Sequence, residues 1–138
     1  WLNLNNIKDS EIILYGESLG TAIAVDLAKE FNFSGIILES PFTSMVELAK
    51  KYYPYLPVKL ILKDKYETIG KLDQINSPIL IMHGAKDTIV PFEMGLKIYE
   101  IVNSPKYKYF NDNDDHMMDY NEDLVQSIRN FIKTIDIN

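Results

Sequence analysis

The sequence predicts an α/β domain, a parallel sheet with flanking helices, and three observations carry that reading. Three short runs, at residues 12–15, 35–38 and 78–82, are apolar without alternation, as expected of strands covered on both faces. Helical patterns separate these runs, so successive strands are joined by crossovers, lie parallel and are wound right-handed. The first run breaks directly into Gly16-Glu17-Ser18-Leu19-Gly20, a strand-to-helix turn with a serine between two glycines.

That turn organises the rest of the chain. Residues without Cβ permit a sharp turn, and the serine between them is pushed into a strained conformation with its hydroxyl exposed. Ser18 also stands at the head of a helix, where free N–H groups and the positive end of the dipole favour an anion such as a tetrahedral oxyanion. The competing role for Ser18 is a simple N-cap, which would need neither both glycines nor the preceding strand.

Composition bounds the function. A chain of 138 residues with 46% hydrophobic and 25% charged residues fits one globular domain with a core, and argues against disorder and against a fibrous protein. A net charge of −6 argues against nucleic acid as a partner. Cysteine is absent, which removes disulfides, thiolate metal sites and a cysteine nucleophile. No apolar run approaches the ~20 residues that span a bilayer, and no secretory signal pattern opens the chain. Localisation and any membrane association are left open.

Taken in order, residues 1–4 resemble the last turn of a helix, and residues 5–11 are a polar connection rich in turn formers. A helix without a beginning suggests a fragment, with the elbow falling almost at the N-terminus. From Leu19 the apolar positions Ile23, Leu27, Ala28 and Phe31, with Ala22, Ala24 and Val25, predict a helix that turns Asp26, Lys29 and Glu30 outward. The second strand, residues 35–39, ends in Glu39 and leads to Ser40-Pro41-Phe42-Thr43-Ser44.

Residues 45–73 carry no strand signal and read as a cap-like helical insertion. Met45, Val46, Ala49, Tyr52 and Tyr53 lie at helical spacing before Pro54, and a second short helix is predicted around Leu56 to Leu62. The segment is unusually aromatic and apolar. Tyr52 and Tyr53, together with Met117 further on, are candidates for lining an acyl pocket; the alternative is ordinary packing on the sheet. The third strand, residues 78–84, is followed by the loop Ala85-Lys86-Asp87-Thr88-Ile89-Val90-Pro91 and a helix from Phe92 to about Val102. Residues 106–110 alternate lysine with aromatic residues, which suits an edge strand. An acidic loop then leads to His116, and an amphipathic helix from about Tyr120 to Ile135 presents Leu124, Ile128, Phe131 and Ile132 on one face.

Serine catalysis needs a base to take the hydroxyl proton and an acid to hold the base, and in a parallel sheet all three project from the carboxyl ends of strands. The chain supplies Ser18, Asp87 and His116 after its first, third and fourth strands. Glu39 is the rival acid. His83 is the only other histidine, and its place at a strand end favours packing or a backbone hydrogen bond. Asn111, Asn113, Asp115 and Glu122 match a calcium-loop spacing, but His116 falls where the sharp turn requires glycine, so no metal site is assigned.

The stretches Tyr15-Gly16-Glu17-Ser18-Leu19-Gly20-Thr21, Glu39-Ser40-Pro41-Phe42-Thr43-Ser44 and 81–91 resemble the second half of an alpha/beta-hydrolase. The similarity is to the abhydrolase-domain branch that includes protein depalmitoylases and proteins regarded as serine peptidases. It implies Ser18 as nucleophile, Asp87 as acid, His116 as base and the Leu19 amide as an oxyanion donor. Two departures stand out. Asp114-Asp115 precedes the histidine where the family has glycine, and the loop that supplies the family's second oxyanion donor has no counterpart upstream of Ser18. Loss of one such donor costs ~3 kcal/mol of transition-state stabilisation.

The expected activity is cleavage of an ester or thioester in a small or acylated substrate through an acyl-enzyme, with no cofactor. A peptidase of the same fold and an inactive remnant or binding module are the alternatives. Without an earlier strand beside it, the strand at residues 12–15 should leave an exposed apolar edge through which the chain self-associates.

Overall fold

Residues 5–135 are described by a computed structural model; the helical turn expected at residues 1–4 lies outside them. The apolar runs form a four-stranded, wholly parallel sheet in the order β1-β2-β3-β4, with β1 at Ile13–Glu17, β2 at Gly35–Glu39, β3 at Ile79–Gly84 and β4 at Lys106–Asn111. The helices are α1 (Leu19–Glu30), α2 (Met45–Tyr52), α3 (Val58–Ile61), α4 (Phe92–Ile101) and α5 (Glu122–Thr134), with 3₁₀ turns at Asp9–Glu11 and Ile69–Gln74.

Side-chain alternation along the strands divides the core in two. Ile36, Leu38, Ile79 and Ile81 pack with Ala24, Val25 and Ala28 of α1 and with Ile98 and Val102 at α4. Ile37, Leu80 and Met82 pack on the other face with Leu124 and Phe131 of α5. β2 and β3 are buried along their whole length, which is why their sequence carries no alternation.

Two expectations need correction. The first strand starts at Ile13 and runs to Glu17, and it is not covered on both faces: Tyr15 and Glu17 are exposed and only Gly16 is buried. Among the described residues β1 has no neighbour on its outer side, so its apolar character is not matched by burial. In α1 the buried positions are Thr21, Ala22, Ala24, Val25 and Ala28, whereas Ile23, Leu27 and Phe31 are 50%, 41% and 44% exposed. The helix that follows so tight a turn must lie close to the sheet, and small residues make that approach. Within the segment 45–73, Leu72 is fully buried in the central core beside Ile75.

Candidate active site

The strand register aligns the carboxyl ends. Glu17 pairs with Glu39, Glu39 with Met82 and Met82 with Tyr109, so the residues that follow these positions share one rim of the sheet. Ser18, Ser40, Asp87 and His116 all issue from that rim.

Ser18 has φ 49° and ψ −114°, the left-handed region that costs a serine on the order of 1–3 kcal/mol. Its side chain makes no cap hydrogen bond, which removes the N-cap explanation. The backbone instead fixes the turn: Ser18 N–H donates to the Glu39 carbonyl at 2.9 Å, and the Thr21 hydroxyl donates to the Ser18 carbonyl at 2.6 Å. Gly16 is required by contact, since a Cβ there would lie 2.5 Å from the Gly20 carbonyl oxygen. Gly20 is not, because its Cβ would meet nothing within 4 Å; the expectation that close packing demands both glycines is therefore half right. Leu19, at the first position of α1, presents one of the amides that no residue of its own helix can accept from.

Asp87 and His116 are brought together. The His116 Nδ1–H donates to Asp87 Oδ2 at 2.8 Å, leaving Nε2 as the ring's proton acceptor. The other carboxylate oxygen, Oδ1, accepts from the amides of Ile89 at 2.8 Å and Val90 at 2.7 Å. Burial works against the Asp87 charge, but the hydrogen bonds from His116, Val90 and Ile89 outweigh it and hold its pKa below the ordinary aspartate value. The His116 loop reaches across the rim: its carbonyl lies 3.4 Å from the Ser40 hydroxyl, and its approach past β3 uses Gly84, where a Cβ would stand 2.4 Å from the carbonyl oxygens of Asp114 and Asp115. The glycine missing before the histidine is thus matched by one on the strand the loop crosses. Ser18 and His116 each contact the Glu39-Ser40 step, the first through its amide on the Glu39 carbonyl and the second through its carbonyl at the Ser40 hydroxyl, without a hydrogen bond between their side chains.

The rivals fall into different roles. Glu39 is 2% exposed and accepts from the hydroxyls of Tyr15 and Tyr120, the latter at 2.5 Å; it makes no hydrogen bond to His116. Burial raises its pKa, and the bonds from Tyr120 and the Met118 backbone only partly offset this. Tyr120 in turn is pushed above the usual phenol value by burial and by Glu39. His83 is fully buried, edge-on to Phe92, and its Nε2–H donates to the Val90 carbonyl at 3.0 Å with Asp87 Oδ2 at 3.3 Å. Burial lowers its pKa, so the contact with Asp87 is that of a neutral imidazole. Its Nδ1 is buried without a partner, and a Cβ at Gly95 would stand 2.2 Å from it. The sequence signal for this second histidine was present in its place four residues before Asp87.

Of the candidate pocket residues, Tyr52 donates its hydroxyl to the carbonyls of Thr88 at 2.5 Å and Ile89 at 2.6 Å, so it ties α2 to the loop that holds Asp87. Tyr53 and Met117 are 59% and 71% exposed, and neither belongs to a core cluster. Two surface grooves of about 330 and 380 Å³ lie elsewhere, beside α5 and at residues 76–78, and neither is lined by Ser18, Asp87 or His116.

Comparison with known proteins bears on the family and the fold. No family model matches the chain. An uncharacterised protein of Mycobacterium tuberculosis is 35% identical over 107 residues, 77% of this chain and 38% of that protein. The human alpha/beta hydrolase domain-containing protein 17B is 36% identical over 112 residues, 76% of this chain and 36% of the relative. The chain belongs to the alpha/beta-hydrolase superfamily. It spans well under half the length of these two relatives. The fold is likewise that of an esterase from Rhodococcus, with a TM-score of 0.74 at 16% identity over 98% of this chain and 69% of that one. An esterase of Pyrococcus furiosus gives a TM-score of 0.73 at 21% identity, covering 98% of this chain and 58% of its own.

Proposed function

We propose that this chain carries the nucleophile, base and acid of a serine hydrolase that cleaves ester or thioester bonds of a small or acylated substrate through an acyl-enzyme. The observation that supports this most is the strained Ser18, held at the head of α1 with its hydroxyl unused for capping, on the same rim as the Asp87–His116 hydrogen bond. Strain of this kind persists where the surrounding structure over-determines it, and it gathers at sites of chemistry. In the reaction, Ser18 Oγ attacks the acyl carbon while His116 Nε2 takes its proton, and the Leu19 amide stabilises the oxyanion. Collapse of the tetrahedral species expels the alcohol or thiol, which receives the proton from His116. Water then repeats the sequence on the acyl-Ser18 ester and frees the acid. Asp87 stays ionised throughout and orients the imidazole.

A fluorophosphonate probe tests this reading. It should label the chain at Ser18, located by peptide mass spectrometry, and Ser18→Ala should abolish labelling and lower turnover of an aryl ester by ~10⁶. Equal labelling of wild type and Ser18→Ala would overturn the assignment.

A further inference from the structure

The projection between α2 and the 3₁₀ turn at Ile69–Gln74 holds a surface that the chemistry above does not use. Tyr53, Tyr55, Leu56, Leu60 and Ile61 are 59%, 97%, 52%, 87% and 62% exposed within nine residues of chain. Clustered exposed apolar side chains of this size mark an interaction site. They are not loose, because Val58 beside them is 5% exposed, and the foot of the projection is held by Phe42 with Met45, Leu48 and Tyr66.

Charge separates this surface from the rest of the molecule. Residues 45–65 contain Lys50, Lys51, Lys59, Lys63 and Lys65 against the two acids Glu47 and Asp64, a local surplus of three positive charges in a chain of net charge −6. All five lysines are exposed, and none forms an ion pair among the described residues. We infer that residues 50–65 dock on an anionic lipid surface, with Tyr53, Tyr55, Leu56, Leu60 and Ile61 entering the interface and the lysines meeting lipid phosphates.

Three features favour lipid over another occupant. A second copy paired face to face through this surface would bring like charge against like charge. The apolar residues sit on a turn and the one-turn helix α3, with side chains up to 97% exposed, which suits insertion into a fluid surface. Tyrosine and lysine also combine an apolar stem with a polar end, the property that places them at the level of lipid headgroups. No helix among the described residues is long and apolar enough to cross a membrane, so this contact is interfacial. The segment connects to the rim through the Tyr52 hydroxyl on the Thr88 and Ile89 carbonyls, and Ile89, two residues from Asp87, is itself 53% exposed. Docking here would present the rim to acyl groups at the lipid surface.

Cosedimentation of the full chain with vesicles tests the inference. Wild type should pellet with phosphatidylcholine vesicles containing phosphatidylserine, less with phosphatidylcholine alone, and less as salt is raised. Removing charge by Lys59→Gln or Lys63→Gln should each lower the partition constant about fivefold. Leu60→Asp with Ile61→Asp should lower it by at least about tenfold, with an unchanged circular dichroism spectrum because both side chains are already exposed. Ser18→Ala should bind as wild type does, so lipid docking and hydrolysis fail or stand separately. The inference is overturned if wild type pellets with neither vesicle, if the Leu60→Asp/Ile61→Asp protein pellets equally, or if wild type pellets without vesicles and that substitution pair prevents it, which would make a second copy the occupant.

Discussion

The loops after β2 and β3 each place one carboxyl group on the same rim, and their surroundings drive the two in opposite directions. Asp87 receives two backbone amides on one oxygen and the His116 imidazole on the other, so its charge is stabilised despite burial. Glu39 receives tyrosine hydroxyls and a single backbone amide, that of Met118, in the same rim, and burial wins, raising its pKa. An acid able to orient a histidine is therefore recognised by donors with nowhere else to point, above all backbone amides fixed by a turn, and not by closeness to the rim. Glu39 serves instead as a cross-link, joining Tyr15 of β1 to Tyr120 just before α5.

Replacing each carboxyl group by its amide should break this comparison most sharply. Asp87→Asn should reduce aryl ester turnover by ~10⁴, since the imidazole loses the partner that sets its tautomer, whereas Glu39→Gln should leave turnover within about an order of magnitude. Steady-state assays on folded variants decide between them, and the reverse ranking would make Glu39 the acid.

Next in size is the approach of the His116 loop to β3. Gly84→Ala forces a Cβ to within 2.4 Å of two carbonyl oxygens, and the strand cannot yield because it is buried along its length. A loss of about 1–3 kcal/mol in urea unfolding is expected, with a larger fall in turnover than Gly20→Ala, whose added methyl meets open space.

The pH dependence of stability separates the carboxyl groups by sign. Asp87, depressed in the folded state, contributes stability that is present above about pH 4, its unfolded value, and is lost as pH falls through the lower folded value. Glu39, raised in the folded state, contributes stability that is full below about pH 4.3 and declines as pH rises to its folded value. Melting curves across pH should therefore show Asp87→Asn losing part of the wild-type fall at acid pH, and Glu39→Gln losing the decline above pH 4.3. His83, whose pKa burial lowers, makes the fold lose stability as pH drops below about 6.5. His83→Gln should flatten that part of the curve.

Much of this site is legible in the sequence because its parts are local. Gly16, Ser18 and Leu19 belong to one turn, and Asp87 bonds the amides two and three residues after it, so short-range spacing carries the geometry. The order serine, aspartate, histidine then needs only parallel strands to bring the groups to one rim. What the sequence hides is long-range. The Glu39 and Tyr120 side chains meet across 81 residues, and nothing in either neighbourhood announces the partner. The buried face of α1 is hidden for another reason: apolar spacing selects Ile23 and Leu27, but the close approach imposed by the elbow selects alanines. In residues 45–73 hydrophobicity alone does not distinguish Leu72, in the core, from Leu60, which is 87% exposed.

Asp87, and not Glu39, holds the His116 imidazole, and the chain's two histidines allow this pairing to be tested directly. Long-range ¹H–¹⁵N correlation spectra at pH 8 should show His116 as the Nδ1–H tautomer and His83 as the Nε2–H tautomer, in keeping with their acceptors Asp87 and Val90. In Asp87→Asn the His116 pattern should collapse towards a mixture of tautomers, and in Glu39→Gln it should be unchanged. A His116 signal that survives Asp87→Asn but changes in Glu39→Gln would contradict the account.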